Sequence, residues 1–338
     1  MAIPTSLPCI RQYAASEGFH FHESPFHLLF MFLPASFPAI WKPSVVNSPP
    51  RLHGMGSDTR QRQPCQLPRL WGNDRRKTLM TYTHRLISGR LLRIIGNLVK
   101  AFSYAFHAVL PHKRFQIPRH ADPIRRTGND TSEIPRILWQ TNYTDRVTLP
   151  VYMNYLANRL MGWDFAYRFM STEDRLVYIR EHFSTEIIDC YCRLQIGAAQ
   201  ADLWRLLVLH REGGVYMDID AHAVWPISAI IKRHGRLFIL TRKGQLSNYF
   251  LAAQPNDPAI AKIIETVVDN IKQNEDLGVF DMTGPGAMRK TPASVETTTI
   301  SNRAACIQGS FTNEYFQYID KKEGKWTRQQ RTTRVVNQ

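Results

Sequence analysis

A nearly all-apolar helix that runs into two glycines, then a short apolar strand, then two carboxylates, constrains this chain more than any other stretch. Residues 197–211 include Ala198, Ala199, Ala201, Leu203, Trp204, Leu206, Leu207, Val208 and Leu209. A helix apolar on almost every side is a buried helix. Gly213-Gly214 ends it, and Val215–Ile219 reads as a strand. Alternation along that strand puts Val215, Met217 and Ile219 on one face and Tyr216, Asp218 and Asp220 on the other. Two carboxylates then sit together at the C-terminal end of a strand, where open α/β sheets bind ligands. Side by side they repel unless a cation lies beside them. Mg²⁺ or Mn²⁺ held by one or two carboxylates and by substrate phosphate oxygens resolves that repulsion.

The helix itself carries Asp202 and Arg205, three apart and so on one face. On a surface such a pair contributes only about 0.2–0.5 kcal/mol. On a buried helix it is costly unless it pairs closely or meets a polar ligand, and a ligand-facing role is the reading adopted. Around this block, strands are expected at 134–139, 163–169, 237–241 and 249–253. Helices are expected at 149–160, 197–211 and 259–273, with one opened by Ser171 and Asp174 and running to about His182. In the second strand Trp163, Phe165, Tyr167 and Phe169 alternate as core residues. Strand–helix alternation of this kind predicts an α/β fold with a mostly parallel central sheet flanked by helices, over residues 132–325.

The net charge of +15 suggests a nucleic-acid binder until it is located. Residues 1–130 hold 18 Lys and Arg against 6 Asp and Glu, and residues 131–338 hold 25 against 22. Basicity therefore belongs to the N-terminal third, where no zinc finger, helix-turn-helix or ribonucleoprotein pattern is visible. Residues 1–79 are Pro-rich and aperiodic and read as a disordered leader, with Met80 an alternative start of translation. Residues 80–131 read as a basic amphipathic helix and linker. Leu91, Ile94, Ile95, Leu98, Phe102, Ala105, Phe106 and Val109 share one helical face, Arg85, Arg90, Arg93, Lys100 and His107 interleave, and Pro111 stops the helix. Two readings stay open for 84–110: a helix lying in a membrane interface, or one packing its apolar stripe on the neighbouring domain. Residues 326–338 read as a basic polar tail. Five scattered cysteines form no disulfide framework or zinc motif, which suits a reducing compartment; Cys190 and Cys192 read as structural.

The block Ala201-Asp202-x-x-Arg205, Gly213-Gly214-Val215-Tyr216-x-Asp218-x-Asp220 resembles the sugar-nucleotide-binding region of family 32 glycosyltransferases, whose members include initiating mannosyltransferases and capsule and lipopolysaccharide transferases. Ile134-Pro135-Arg136-Ile137-Leu138-Trp139-Gln140-Thr141 is similar to that family's first strand and Gln-Thr turn, although Trp139 stands where a His is common. Asn248 and Thr283-Gly284-Pro285-Gly286 extend the resemblance downstream. It implies a GT-A type nucleotide-diphospho-sugar transferase fold and a UDP- or GDP-sugar donor. It also implies retention of anomeric configuration and a glycan or glycolipid acceptor in polysaccharide biosynthesis. By this analogy Asp218 and Asp220 bind Mn²⁺ or Mg²⁺ and the diphosphate, and Asp202 and Arg205 hold the donor sugar. Gln140, Thr141, Tyr216 and Asn248 lie around the nucleotide-sugar. No residue is nominated as a covalent nucleophile. His222 reads as an ordinary exposed or hydrogen-bonded histidine rather than a metal or acceptor contact.

Two other classes compete. A haloalkanoate-dehalogenase-like phosphatase also places Asp-x-Asp after an apolar strand, but it expects a Thr or Val at position 222, a downstream Lys and a late paired-acid loop. A catalytically inactive, membrane-associated sugar-nucleotide-binding protein is the second, and retention of all four charged residues argues against it. Without a clear spanning segment, placement is expected to be cytoplasmic and peripheral to a membrane.

Overall fold

The computed structural model describes residues 72–125, 132–232, 234–273, 276–290 and 298–337. Its strands are β1 Phe115–Gln116, β2 His120–Ala121, β3 Ile137–Thr141, β4 Arg146–Val147, β5 Ala166–Met170, β6 Gly214–Met217, β7 Ala221–Ala223, β8 Arg236–Leu240, β9 Leu246–Ala253, β10 Thr299–Ser301 and β11 Cys306–Gln308. Its helices are α1 Gly72–Val109, α2 Leu149–Met161, α3 Thr172–His182, α4 Thr185–Arg193, α5 Gly197–Glu212, α6 Ile227–Ile231, α7 Pro258–Gln273, α8 Val279–Met282, α9 Pro285–Lys290, α10 Asn302–Ala305, α11 Glu314–Gln317 and α12 Trp326–Gln329. One seven-stranded sheet runs in the order β10-β8-β9-β6-β3-β5-β2. β10, β8, β6, β3 and β5 point one way, and β9 and β2 run against them. This is the expected mixed α/β architecture with a mostly parallel sheet.

Alternation builds a core on both faces of the sheet. Leu138, Val215, Tyr167 and Phe250 pack with Val151, Tyr155 and Ile227 from α2 and α6. Trp139, Tyr216, Phe238 and Leu251 pack with Leu203, Leu207, Ile260 and Val267 from α5 and α7. Helices on both faces suit a sheet that is mostly parallel. The entry into β6 depends on glycine. Gly213 has φ +67° and Gly214 φ +105°, and a Cβ on Gly214 would lie 2.7 Å from the Ile137 carbonyl oxygen. The Trp139 indole N–H donates to the Gly213 carbonyl at 2.9 Å, which ties the turn to β3.

Several boundaries differ from the sequence reading, each for a local reason. β3 starts at Ile137 rather than Ile134, because Pro135 has no N–H to give a ladder. β5 starts at Ala166, so Trp163 lies in the preceding turn and is exposed, whereas Phe165, Tyr167 and Phe169 are buried. β6 ends at Met217, and Asp218 and Asp220 lie in the turn beyond it, where the Ala221 N–H donates to the Asp218 carbonyl. The capped helix after β5 matches its expectation: Ser171 and Asp174 form a reciprocal capping box.

The N-terminal third differs more. The leader expected over residues 1–79 lies, up to residue 71, outside the described residues. From Gly72 the chain is helical, and no proline interrupts it between Pro68 and Pro111. The segment after α1 is not merely a linker. β2 forms the edge of the main sheet against β5, and Ile117 is fully buried in the core. The C-terminal segment also returns to the body: Val335 and Val336 are buried, and Val336 bridges to Leu194.

α1 packs on the body, but not through its apolar stripe. Over residues 80–109 its buried positions are Gly89, Gly96, Ser103 and His107. A Cβ on Gly89 would meet Val224 at 3.2 Å and one on Gly96 the Ser310 backbone at 2.9 Å, so the glycines let the helix approach closely. The Arg85 guanidinium donates to the Ala229 carbonyl at 2.9 Å, and the Lys100 amine to the Gly309 carbonyl at 3.1 Å.

Beneath α1 lies His222, fully buried and packed edge-on to the Phe311 ring. Neither of its ring nitrogens has a hydrogen-bond partner among the described residues. Burial, with the nearby Arg93 charge, lowers its pKa to about 4. The unfolded chain therefore takes up a proton at this position that the folded one refuses. Stability from this group is complete above about pH 6.5 and is lost as pH falls toward 4, by about 3 kcal/mol. His222→Leu is expected to flatten the dependence of the thermal midpoint on pH across that window, measured by circular dichroism melts.

Candidate active site

The charged cluster forms where α5, β6 and β9 meet. α5 presents Asp202 and Arg205 on one face, both buried. Arg205 pairs with Asp202 Oδ1 at 2.9 Å and with Asp218 Oδ1 at 3.1 Å. It also donates to the Asn248 carbonyl at 2.8 Å, and its guanidinium carbon lies 4.4 Å from the centre of the Tyr216 ring. The Tyr216 hydroxyl donates to the same Asp218 oxygen at 2.7 Å. Asp202 further accepts from the Asn248 amide at 2.8 Å and from the Thr283 hydroxyl at 3.1 Å. Thr283 closes α8 and immediately precedes the Gly284-Pro285 step into α9. That turn therefore acts on the cluster through one hydroxyl.

Electrostatics follow from burial and neighbours. Burial pushes the Asp202 carboxyl up to about 6; Arg205 opposes that shift and the Asp218 charge adds to it. Burial disfavours the Arg205 charge too, but Tyr216, Asp218 and Asp202 outweigh it, and the guanidinium pKa is raised. Asp220 is raised to about 7 by burial and by Asp218, with the Gln308 amide opposing.

Sequence reasoning missed Gln308. Its amide nitrogen donates to Asp218 Oδ2 at 3.3 Å and to Asp220 Oδ1 at 3.0 Å, and so bridges the two carboxylates. β11 positions it by pairing with β7, where Gln308 faces Ala221, one residue beyond Asp220. The Gly309 N–H closes the same corner on the Asp220 carbonyl at 2.9 Å. Nothing in a lone glutamine about ninety positions downstream marks it; only the strand register does. Tyr318 was missed for the same reason. Burial, then the Asp220 and Asp218 charges, raise its pKa, and its ring stacks on Tyr143 at 6.5 Å.

Among the predicted residues, Asp202, Arg205, Tyr216, Asp218 and Asn248 are brought into one bonded cluster, with Asp220 linked through Gln308. Gln140 sits behind the cluster. It is fully buried, donates to the Asp218 carbonyl at 3.2 Å and accepts from the Tyr167 hydroxyl at 3.1 Å. Thr141 is also buried and donates to the Met170 carbonyl at 2.6 Å. Gln140 thus ties the end of β3 to the end of β6, and Thr141 ties it to the end of β5. His222 does not join the site. Cys190 is buried and Cys192 half-buried on α4, and neither forms a disulfide among the described residues.

Among the described residues no three His, Cys, Asp or Glu side chains converge as a metal cluster. The donors that do converge are two carboxylates with an amide beside them. That set suits a hard divalent cation completed by water and phosphate oxygens. The phosphatase reading lacks its paired-acid loop, and the would-be nucleophilic oxygen Asp218 Oδ1 is already held by Tyr216 and Arg205.

Residues 150–238 match the family described as a glycosyltransferase sugar-binding region containing a DXD motif. An initiation-specific alpha-1,6-mannosyltransferase of Schizosaccharomyces pombe is 23% identical over 242 residues, covering 64% of this chain and 58% of that protein. The match therefore spans little more than half the length of that relative. An uncharacterized glycosyltransferase of Acanthamoeba polyphaga mimivirus is 23% identical over 196 residues, covering 56% of this chain and 76% of that one. A solved structure, the PaToxG glycosyltransferase, aligns with a TM-score of 0.37 at 15% identity, over 64% of this chain and 79% of that chain.

Removing the guanidinium leaves two carboxylates without their cation. Arg205→Met is expected to lower stability by about 3–5 kcal/mol in chemical denaturation. Arg205→Lys should recover only part of that loss, because an ammonium lacks the planar fork that reaches Asp202, Asp218 and the Asn248 carbonyl together.

Proposed function

We propose that this chain, whose residues 150–238 match a glycosyltransferase sugar-binding region containing a DXD motif, is a metal-dependent, retaining glycosyltransferase of the GT-A type. It would move a hexose, mannose, galactose or glucose, from a UDP- or GDP-sugar to a glycan or glycolipid acceptor presented at a membrane face. The observation that carries this reading is the bonded cluster of Asp202, Arg205, Tyr216 and Asp218 beside the Gln308-bridged carboxylates of Asp218 and Asp220.

In this reading Asp218 and Asp220 hold Mn²⁺ or Mg²⁺. The cation supplies charge neutralisation for the diphosphate leaving group. The Gln308 amide nitrogen bridges the two carboxylates, and the side chain would offer its amide oxygen beside them to a bound ion. Asp202 is held rigid by Asn248, Thr283 and Arg205 and offers its remaining lone pairs to donor-sugar hydroxyls. Arg205 fixes Asp202 and Asp218 relative to each other. The work of these residues is positioning and electrostatic preorganisation, which need no reorganisation during the reaction. The S. pombe relative, by its name a mannosyltransferase, makes the mannose donor the first to test.

The test is donor hydrolysis by the full chain with Mn²⁺ across a panel of UDP- and GDP-sugars. Release of one nucleotide is expected with metal, and it should be lost on adding EDTA and in Asp218→Asn/Asp220→Asn. Release that persists in the double variant would overturn the metal assignment. Gln308→Ala is expected to weaken Mn²⁺ binding about tenfold, as loss of a supporting polar group does. Gln308→Glu should retain or tighten it, read by calorimetry.

A further inference from the structure

α1 is mounted on this protein with its apolar side outward. An amphipathic helix of a globular protein turns its apolar stripe to the core. Here Gly89, Gly96 and Ser103, spaced by seven, face the body. Leu91, Ile94, Ile95, Leu98, Phe102 and Val109 face away, and Leu91, Ile94, Leu98 and Phe102 are 56%, 57%, 65% and 54% exposed. At 100° per residue the two sets lie on opposite sides of the helix. The contacts of the inner face are specific: Arg85 and Lys100 reach backbone carbonyls, and the Tyr104 hydroxyl accepts from the Asn313 amide at 2.7 Å.

Charge indicates what covers the outer face. From Arg75 to Ala121 the sequence has ten Lys and Arg and no Asp or Glu. Arg90 and Lys113 are exposed. Among the described residues no helix is long and apolar enough to cross a bilayer. A second copy of the chain would set the same cationic helix against itself, whereas an anionic surface satisfies both the apolar stripe and the cations. The geometry points to α1 as a rigidly mounted docking helix. It lays Leu91, Ile94, Ile95, Leu98 and Phe102 into the interface of an anionic lipid bilayer, with Arg90 and Lys113 at headgroup level. Docked so, the helix lies next to the active site, because Gly309 and Ser310, held by Lys100 and packed under Gly96, directly follow Gln308.

The experiment is cosedimentation of the full chain with phosphatidylcholine vesicles, with and without phosphatidylglycerol, in the absence of donor and metal. It reads the surface separately from the transferase chemistry. Binding is expected only with phosphatidylglycerol. Leu91→Gln/Ile94→Gln/Leu98→Gln should reduce it by about tenfold or more with an unchanged thermal midpoint, because all three side chains are exposed. Arg90→Gln/Lys113→Gln should reduce it roughly thirtyfold, at about one kcal/mol per basic residue near the surface. Phe102→Trp should show a blue-shifted emission on vesicles, quenched by brominated lipid chains. A full chain that stays in the supernatant with both vesicle types would overturn the proposal. So would a triple variant that binds as well as the parent. A chain that is dimeric by light scattering and becomes monomeric in the triple variant would assign the face to a second copy instead, and overturn it equally.

Discussion

A single guanidinium is the fixed point of this structure. Arg205 is buried between Asp202 and Asp218, under the Tyr216 ring and against the Asn248 carbonyl. A buried charge is tolerated only when every polar neighbour is matched, and here the matching ties three elements together. α5 supplies the cation, the turn after β6 supplies one anion, and β9 supplies the carbonyl. The same network that makes the burial tolerable therefore holds Asp202 and Asp218 at set positions, with Asp220 beside them at the mouth of the sheet. Preorganisation of a polar site and stability of the fold are in this case one set of bonds.

The remaining architecture brings those elements into register. The Gly213-Gly214 turn lets α5 return directly into a central strand, because no side chain fits between Gly214 and the Ile137 carbonyl. Trp139 and Gln140 clamp the two ends of that strand from β3, through the Gly213 and Asp218 carbonyls. Helices on both faces then bury the sheet. The C-terminal part of the chain adds what the sheet alone lacks. β11 carries Gln308 to the carboxylates, and the segment after it brings up Tyr318. α1 lies over the residues that follow Gln308, so the outermost helix and the innermost polar site are separated by only a short stretch of backbone.

Much of this was legible in the amino-acid sequence. The buried helix, its glycine stop, the strand after it, the capped α3 and the amphipathic α7 all follow from local periodicity and capping chemistry. So does the adjacency of Asp218 and Asp220, which are two apart. The coupling of Asp202 to Arg205 was visible for the same reason, since three residues make a helical neighbour. Less legible were positions whose role comes from a partner far along the chain. Family resemblance puts Gln140 near the nucleotide, whereas its amide is buried behind Asp218. Alternation alone puts Trp163 in a strand, whereas it stands in the turn before one.

What the sequence determined by itself is the set of local patterns: which segments are helices or strands, where they stop, and which charged residues share a face. These depend on backbone geometry within a few residues, which side-chain spacing records directly. Only the tertiary structure decided which face of α1 meets the body, because the sequence shows an apolar stripe and a small-residue stripe without saying which one docks. It alone brought Gln308 and Thr283 to the carboxylates, across 88 and 81 positions. It also left His222 buried without a polar partner among the described residues, although His222 is two residues from Asp220. Such outcomes come from packing between distant segments, where close approach and matched polar groups, rather than periodicity, select the arrangement.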